Sequence, residues 1–143
     1  MEGGLLQGML GTLYEAAVKT ILLVDDDCDV LSCLEDALIS SGYNVIAQPH
    51  AEPALAVLKQ GIVIDIVVTD YTMPGMHGGT FLKEVRRLVP SVPMVVLSGN
   101  DSIESHLRSL NLNGFDYLFK PIRSVELLGV VKAALDRDIS IIQ

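Results

Sequence analysis

The stretch Ile21-Leu22-Leu23-Val24-Asp25-Asp26-Asp27 sets an unbroken apolar run directly against three acids, with a fourth at Asp29. Four branched apolar residues in a row, without polar alternation, read as a strand buried on both faces, the kind found inside a parallel sheet. The acids that follow repel one another at this spacing and need a cation or solvent to be tolerated. Parallel α/β sheets hold their ligands at the carboxyl ends of their strands, which is where this run places its charge.

Outward from it, β-branched runs alternate with helical patterns. Further strands are predicted at Asn44 to Ala47, Ile66 to Thr69, Met94 to Ser98 and Tyr117 to Phe119. Between and after them, apolar residues recur at helical spacing: Leu31, Leu34 and Leu38; then Ala51, Ala54, Leu55 and Leu58; then Leu82, Val85 and Val89. Ile103, Leu107 and Leu110 form a fourth stripe, and Val125, Leu128, Val131 and Leu135 a fifth. Gly42, Gly61 and Pro90 stand where the first three helices should stop, and Ser102 and Ser124 are candidate N-caps for the last two. Five strands alternating with five helices predict an α/β fold, a doubly wound five-stranded parallel sheet.

The chain of 143 residues has one domain's length, and half of its residues are apolar, enough for a core without disulfides. Its 18 acidic and 10 basic residues give a net charge of −8, against the basic footprint of a nucleic-acid binder. The longest uncharged stretch, Ala37 to Ala51, is 15 residues long and carries several polar groups, too short and too polar to span a bilayer. The start carries Glu2 and no early Lys or Arg, unlike a secretory signal, so a cytoplasmic protein is expected. Cys28 and Cys33, five apart, fall on different faces of a helix and read as reduced, small apolar residues.

The polar residues that end the strands converge: Asp25 and Asp26 on the first, Asp70 on the third, Ser98 on the fourth and Lys120 on the fifth. Three carboxylates and one lysine leave a local charge of −2, which a divalent cation cancels. An all-oxygen donor set suits a hard ion, and Mg²⁺ that keeps some of its waters fits better than Ca²⁺, because Gly75 to Gly79 lacks a calcium loop's run of ligands. A carboxylate nucleophile beside a metal, a hydroxyl and an ammonium is equipment for phosphoryl transfer. No Gly-x-x-x-x-Gly-Lys stretch cradles a nucleotide.

VDDD (Val24–Asp27), VVTDYTMPGMHG (Val67–Gly78), VVLSGN (Val95–Asn100) and DYLFKP (Asp116–Pro121) together resemble the receiver domain of bacterial two-component response regulators. The spacing agrees, with 44 residues from Asp26 to Asp70 and 50 from Asp70 to Lys120. The resemblance implies a flavodoxin-like strand order 2-1-3-4-5. It makes Asp70 the phosphoacceptor, Asp25 and Asp26 the acidic pair for Mg²⁺, and Thr72 a further ligand through its carbonyl. Ser98 and Lys120 would hold the phosphoryl group, Pro121 would follow a cis peptide bond, and Tyr117 would be an aromatic switch responding to Ser98. The face made by the fourth helix, fifth strand and fifth helix would read out the change. The implied partners are a sensor histidine kinase or histidine phosphotransfer protein, then a downstream protein or fused effector domain, with a phosphorylation-dependent homodimer as a further form. The activity implied is a switch, with self-phosphorylation and self-dephosphorylation in place of metabolite turnover.

His77 departs from the family, which often has Asp there, and reads as a solvent-facing loop residue; His50 and His106 read as surface residues. Thr72 and Asn100 occupy positions that tune phosphoryl lifetime in this family. Asp27 and Asp29 suit the head of a helix. Residues 1–18 form an N-terminal extension with an apolar stripe through Leu5, Leu6, Met9, Leu10 and Leu13; 19–138 form the receiver and 139–143 a tail. Two other readings compete. A haloacid-dehalogenase-type phosphohydrolase would use Asp25 as nucleophile but leaves Asp70-Tyr71-Thr72-Met73-Pro74 unexplained. A receiver-like binding module would signal without phosphate.

Overall fold

The computed structural model describes residues 18–99 and 115–142, with side chains up to Arg137. Five strands, β1 (Thr20–Val24), β2 (Asn44–Gln48), β3 (Ile66–Asp70), β4 (Met94–Ser98) and β5 (Phe115–Phe119), form one sheet in the order β2-β1-β3-β4-β5, every pairing parallel. The helices are α1 (Cys28–Ser40), α2 (Ala51–Lys59), α3 (Gly78–Leu88) and α4 (Ser124–Ile142). This is the flavodoxin-like arrangement expected. The fourth helix pattern, together with Asn100, Ser102, His106 and the N-terminal stripe, lies outside the described residues.

The two-residue period of each strand divides its side chains between two cores. Leu22, Val24, Val67, Met94 and Val96 pack under α2 and α3 with Ala54, Leu55, Leu58, Phe81, Leu82 and Val85. Ile21, Leu23, Ile66, Val68, Val95 and Leu97 pack under α1 and α4 with Leu34, Leu38, Leu127 and Val131. The central strands β1, β3 and β4 are thereby buried on both faces, which is why their sequences show no alternation.

Local chemistry sets the boundaries. Asp27 accepts N–H bonds from Asp29 (3.0 Å) and Val30 (3.2 Å) and caps α1. Gly42, at φ 96°, turns the chain out of α1 in the left-handed conformation that glycine adopts without strain. Three expectations need correction. In α4 the buried stripe is Leu127, Val131, Ala134 and Leu135, whereas Val125 is 79% exposed, because a helix apolar on several sides admits more than one register and the sheet selects one. Ser124 is the first residue of α4, and the carbonyl of Arg123, one position earlier, accepts from the N–H groups of Glu126 and Leu127. β5 also starts earlier than predicted, with Phe115 and Asp116 paired to Met94 and Val95. α4 runs on to Ile142, beyond Leu135, the last residue of the apolar stripe predicted for it.

Candidate functional site at the strand ends

Every strand of a parallel sheet points its carboxyl end to the same edge, so residues far apart in sequence meet there. Asp25 follows β1, is wholly buried, and accepts the Asp27 N–H through Oδ1 at 2.9 Å. Asp70 ends β3 and accepts the Thr72 N–H through Oδ1 at 3.2 Å. Ser98, 1% exposed, ends β4. Lys120 follows β5, and its Nζ bridges Asp25 Oδ2 at 2.9 Å and Asp70 Oδ2 at 3.2 Å. The Lys120 N–H also donates to the Ser98 carbonyl at 2.7 Å, and the Lys120–Pro121 peptide bond is cis.

The carboxylates of Asp25, Asp26 and Asp70 come together, one oxygen of each within 4.8 Å of the others. Burial pushes the Asp70 carboxyl above its ordinary pKa; the Lys120 ammonium pulls it down, and the charge of Asp25 adds to the rise. Burial works to lower the pKa of Lys120, yet its bond to Asp25 and the charges of Asp70 and Asp25 outweigh this and hold it above its ordinary value. One ammonium thus pairs with two of the three acids, and the clustered carboxylates are a donor set that fits a hard divalent cation.

Thr72 is exposed beside this cluster. Tyr117 is half-buried on β5, packs against the core beneath α2 and α3, and meets Phe119 edge-on at 5.5 Å. A cleft of about 520 Å³ opens beside Lys120 between α1 and the turn after β5, walled by Val30, Cys33, Leu34, Pro121 and Ile122. Both thiols are free and exposed, not core residues. His50 precedes α2 at the surface.

His77 is an exposed loop residue, as expected, and it also caps α3, its Nδ1 accepting the Gly79 N–H at 3.1 Å, with its ring edge-on to Tyr71. The available signal was its place just before Gly78-Gly79 and the apolar residues Phe81 and Leu82. Gly78 was missed as well. A Cβ there would fall 2.1 Å from the Tyr71 carbonyl oxygen, so only glycine lets α3 start this close to the residue after Asp70.

Sheet order and strand-end site define a class, the small doubly wound α/β domains of the CheY-like kind. A CheY-like response regulator receiver domain protein from Methanospirillum hungatei superposes with a TM-score of 0.79 at 29% identity, covering 86% of this chain and 98% of that one. The response regulator receiver domain family matches residues 21–132, and the chain belongs to that family. Among relatives, the transcriptional regulatory protein CpxR of Klebsiella pneumoniae is 36% identical over 120 residues, 84% of this chain and 50% of CpxR. PrrA of Mycobacterium tuberculosis, another transcriptional regulatory protein, is 36% identical over 117 residues, 82% of this chain and 50% of PrrA. The chain therefore spans about half the length of these relatives.

Proposed function

We propose that this receiver accepts a phosphoryl group on Asp70 from a phosphorylated histidine of a sensor kinase or phosphotransfer protein. The observation that carries the reading is Lys120 Nζ seated between Asp25 and Asp70 at 2.9 and 3.2 Å, with Ser98 at the adjoining strand end. An Asp70 carboxylate oxygen attacks phosphorus, the P–O bond forms as the donor's P–N bond breaks, and the electron pair of that bond stays on the leaving nitrogen of a ring protonated at its other nitrogen, which departs as neutral imidazole. Lys120 pairs with the negative charge on the transferred group, and the Ser98 hydroxyl donates a hydrogen bond to it.

Asp25, Asp26, Asp70 and the Thr72 carbonyl would hold Mg²⁺, which when bound supplies charge neutralisation for the phosphoryl oxygens. The apolar cleft beside Lys120 suits a docking helix from the donor, since it runs along α1 to the site. Tyr117 on β5 would respond as Ser98 moves toward the phosphoryl group, and its face would pass the change to a separate or fused effector or to a second copy of the chain. Among the described residues no helix is long and apolar enough to cross a membrane. Asp25 is poorly suited to act as a hydrolase nucleophile, because its side chain is wholly buried, whereas that of Asp70 keeps some exposure.

The test is intact mass after incubation with a small phosphoramidate. A gain of one phosphoryl group is expected with Mg²⁺, none after chelation and none in Asp70→Asn. Labelling that persists in Asp70→Asn removes Asp70 from the role. Continuous phosphate release from a small ester, lost in Asp25→Asn, would support the hydrolase instead.

A further inference from the structure

The chain from Tyr71 to His77 leads from Asp70 into α3, and one side chain fastens its two ends. His77 Nδ1 accepts the Gly79 N–H at 3.1 Å, and its ring meets Tyr71 edge-on, with centroids 5.9 Å apart at 79°. Tyr71 is buried, follows Asp70 directly, and is held to β4 by its N–H bond to the Leu97 carbonyl at 2.9 Å. Gly78 lies against the Tyr71 carbonyl, so the head of α3 rests on the backbone next to Asp70. A shift of that head is a shift of the Asp70–Thr72 backbone.

A backbone N–H can only donate, so the cap bond requires Nδ1 without a proton. Protonating the imidazole turns that acceptor into a donor and adds positive charge at a helix N-terminus, where positive charge is disfavoured. We propose that His77 is a positioning residue for phosphoryl acceptance at Asp70 and makes that step pH-sensitive. Neutral His77 caps α3 and clamps Tyr71; the protonated ring releases the cap and loosens the backbone beside Asp70. The inference rests on the reading of Asp70 as phosphoacceptor.

Among the described residues, the titratable and charged groups around this loop come from three sides. Asp70 and the Tyr71 phenol lie at its base, and burial raises the phenol, which keeps it neutral across the range concerned. His50 and Glu52, at the head of α2, face Pro74, Gly75 and Met76 across a cleft of about 280 Å³. Lys83 and Glu84 lie further along α3. Of these side chains only His50 is another imidazole, so His50→Gln is the control.

The experiment follows phosphoramidate labelling of the full chain with Mg²⁺ from about pH 8 to about pH 5.5, the window in which imidazoles change charge. Each rate is divided by that of His77→Asp at the same pH, since Asp supplies a cap acceptor that stays charged there. The wild-type ratio is expected to fall several-fold with acidification, the His50→Gln ratio to fall alongside it, and His77→Ala to be slow with a flat ratio. In parallel, the Gly79 amide should lose exchange protection on acidification in the wild type and keep it in His77→Asp. A flat ratio in a protein that does take phosphate, or Gly79 protection that ignores pH, overturns the proposal alone. Failure of every variant to take phosphate overturns the reading of Asp70, and the proposal with it.

Discussion

Two influences oppose each other at Asp70. Burial and the neighbouring Asp25 disfavour its charge, while Lys120 favours it, and the net result is a carboxyl held above its ordinary pKa. A folded-state value above the unfolded one means that ionised Asp70 costs stability, a cost present at neutral pH and relieved as pH falls through the folded value toward about 3.9. Metal-free Asp70→Asn should therefore melt higher than wild type at pH 7, with the gap closing toward pH 4, as melting curves across pH would show. Lys120 has the opposite sign of effect. Its raised value means stability that is fully present below about pH 10.4 and lost as pH climbs through the folded value. Lys120→Met leaves Asp25 and Asp70 without their ammonium and should lower the neutral-pH melting temperature; an unchanged value would contradict the electrostatic account of the site.

Among the elements, α1 and α3 depend most visibly on single residues. Asp27 alone satisfies two N–H groups at the head of α1, so Asp27→Ala should cost about 1 kcal/mol in denaturant melts. Gly78→Ala drives a methyl group into the Tyr71 carbonyl and should cost about 1–3 kcal/mol, slowing phosphoryl acceptance as well because Asp70 is next in the chain. The central strands were the most legible: β3 and β4 are buried throughout and β1 from Ile21 onward, while β5 is half-buried, and its first residues, Phe115 and Asp116, lack the continuous apolar run that marks a central strand. For α4, Val125 and Leu127 both begin credible stripes in sequence, and contact with the sheet decides between them. The acids and the lysine were readable because charge at the end of an apolar run is conspicuous. Gly78 was not, and the capping role of His77 was signalled only by its place before Gly78-Gly79, since both roles lie in backbone contacts that a list of side chains does not display.

For the whole molecule, the acid cluster predicts that a cation binding only the folded state raises its stability. At a Mg²⁺ concentration of about 100 Kd the gain is about 2.7 kcal/mol, or roughly 5–10 °C in Tm for a chain of this size. Asp70→Asn should blunt that shift, and Ca²⁺ should reproduce it less well; a Tm indifferent to Mg²⁺ would remove the cation from the site. The sheet order gives one earlier contact a larger meaning. Lys120 leaves the edge strand β5, passes over β4, and is tethered to Asp70 on β3 and to Asp25 just beyond β1. It is a guy-rope strung over the crest of the sheet, anchored at the ends of two strands to which β5 is not itself paired. A change of charge at either anchor therefore acts directly on the residue that follows the edge strand, two strands away from Asp70.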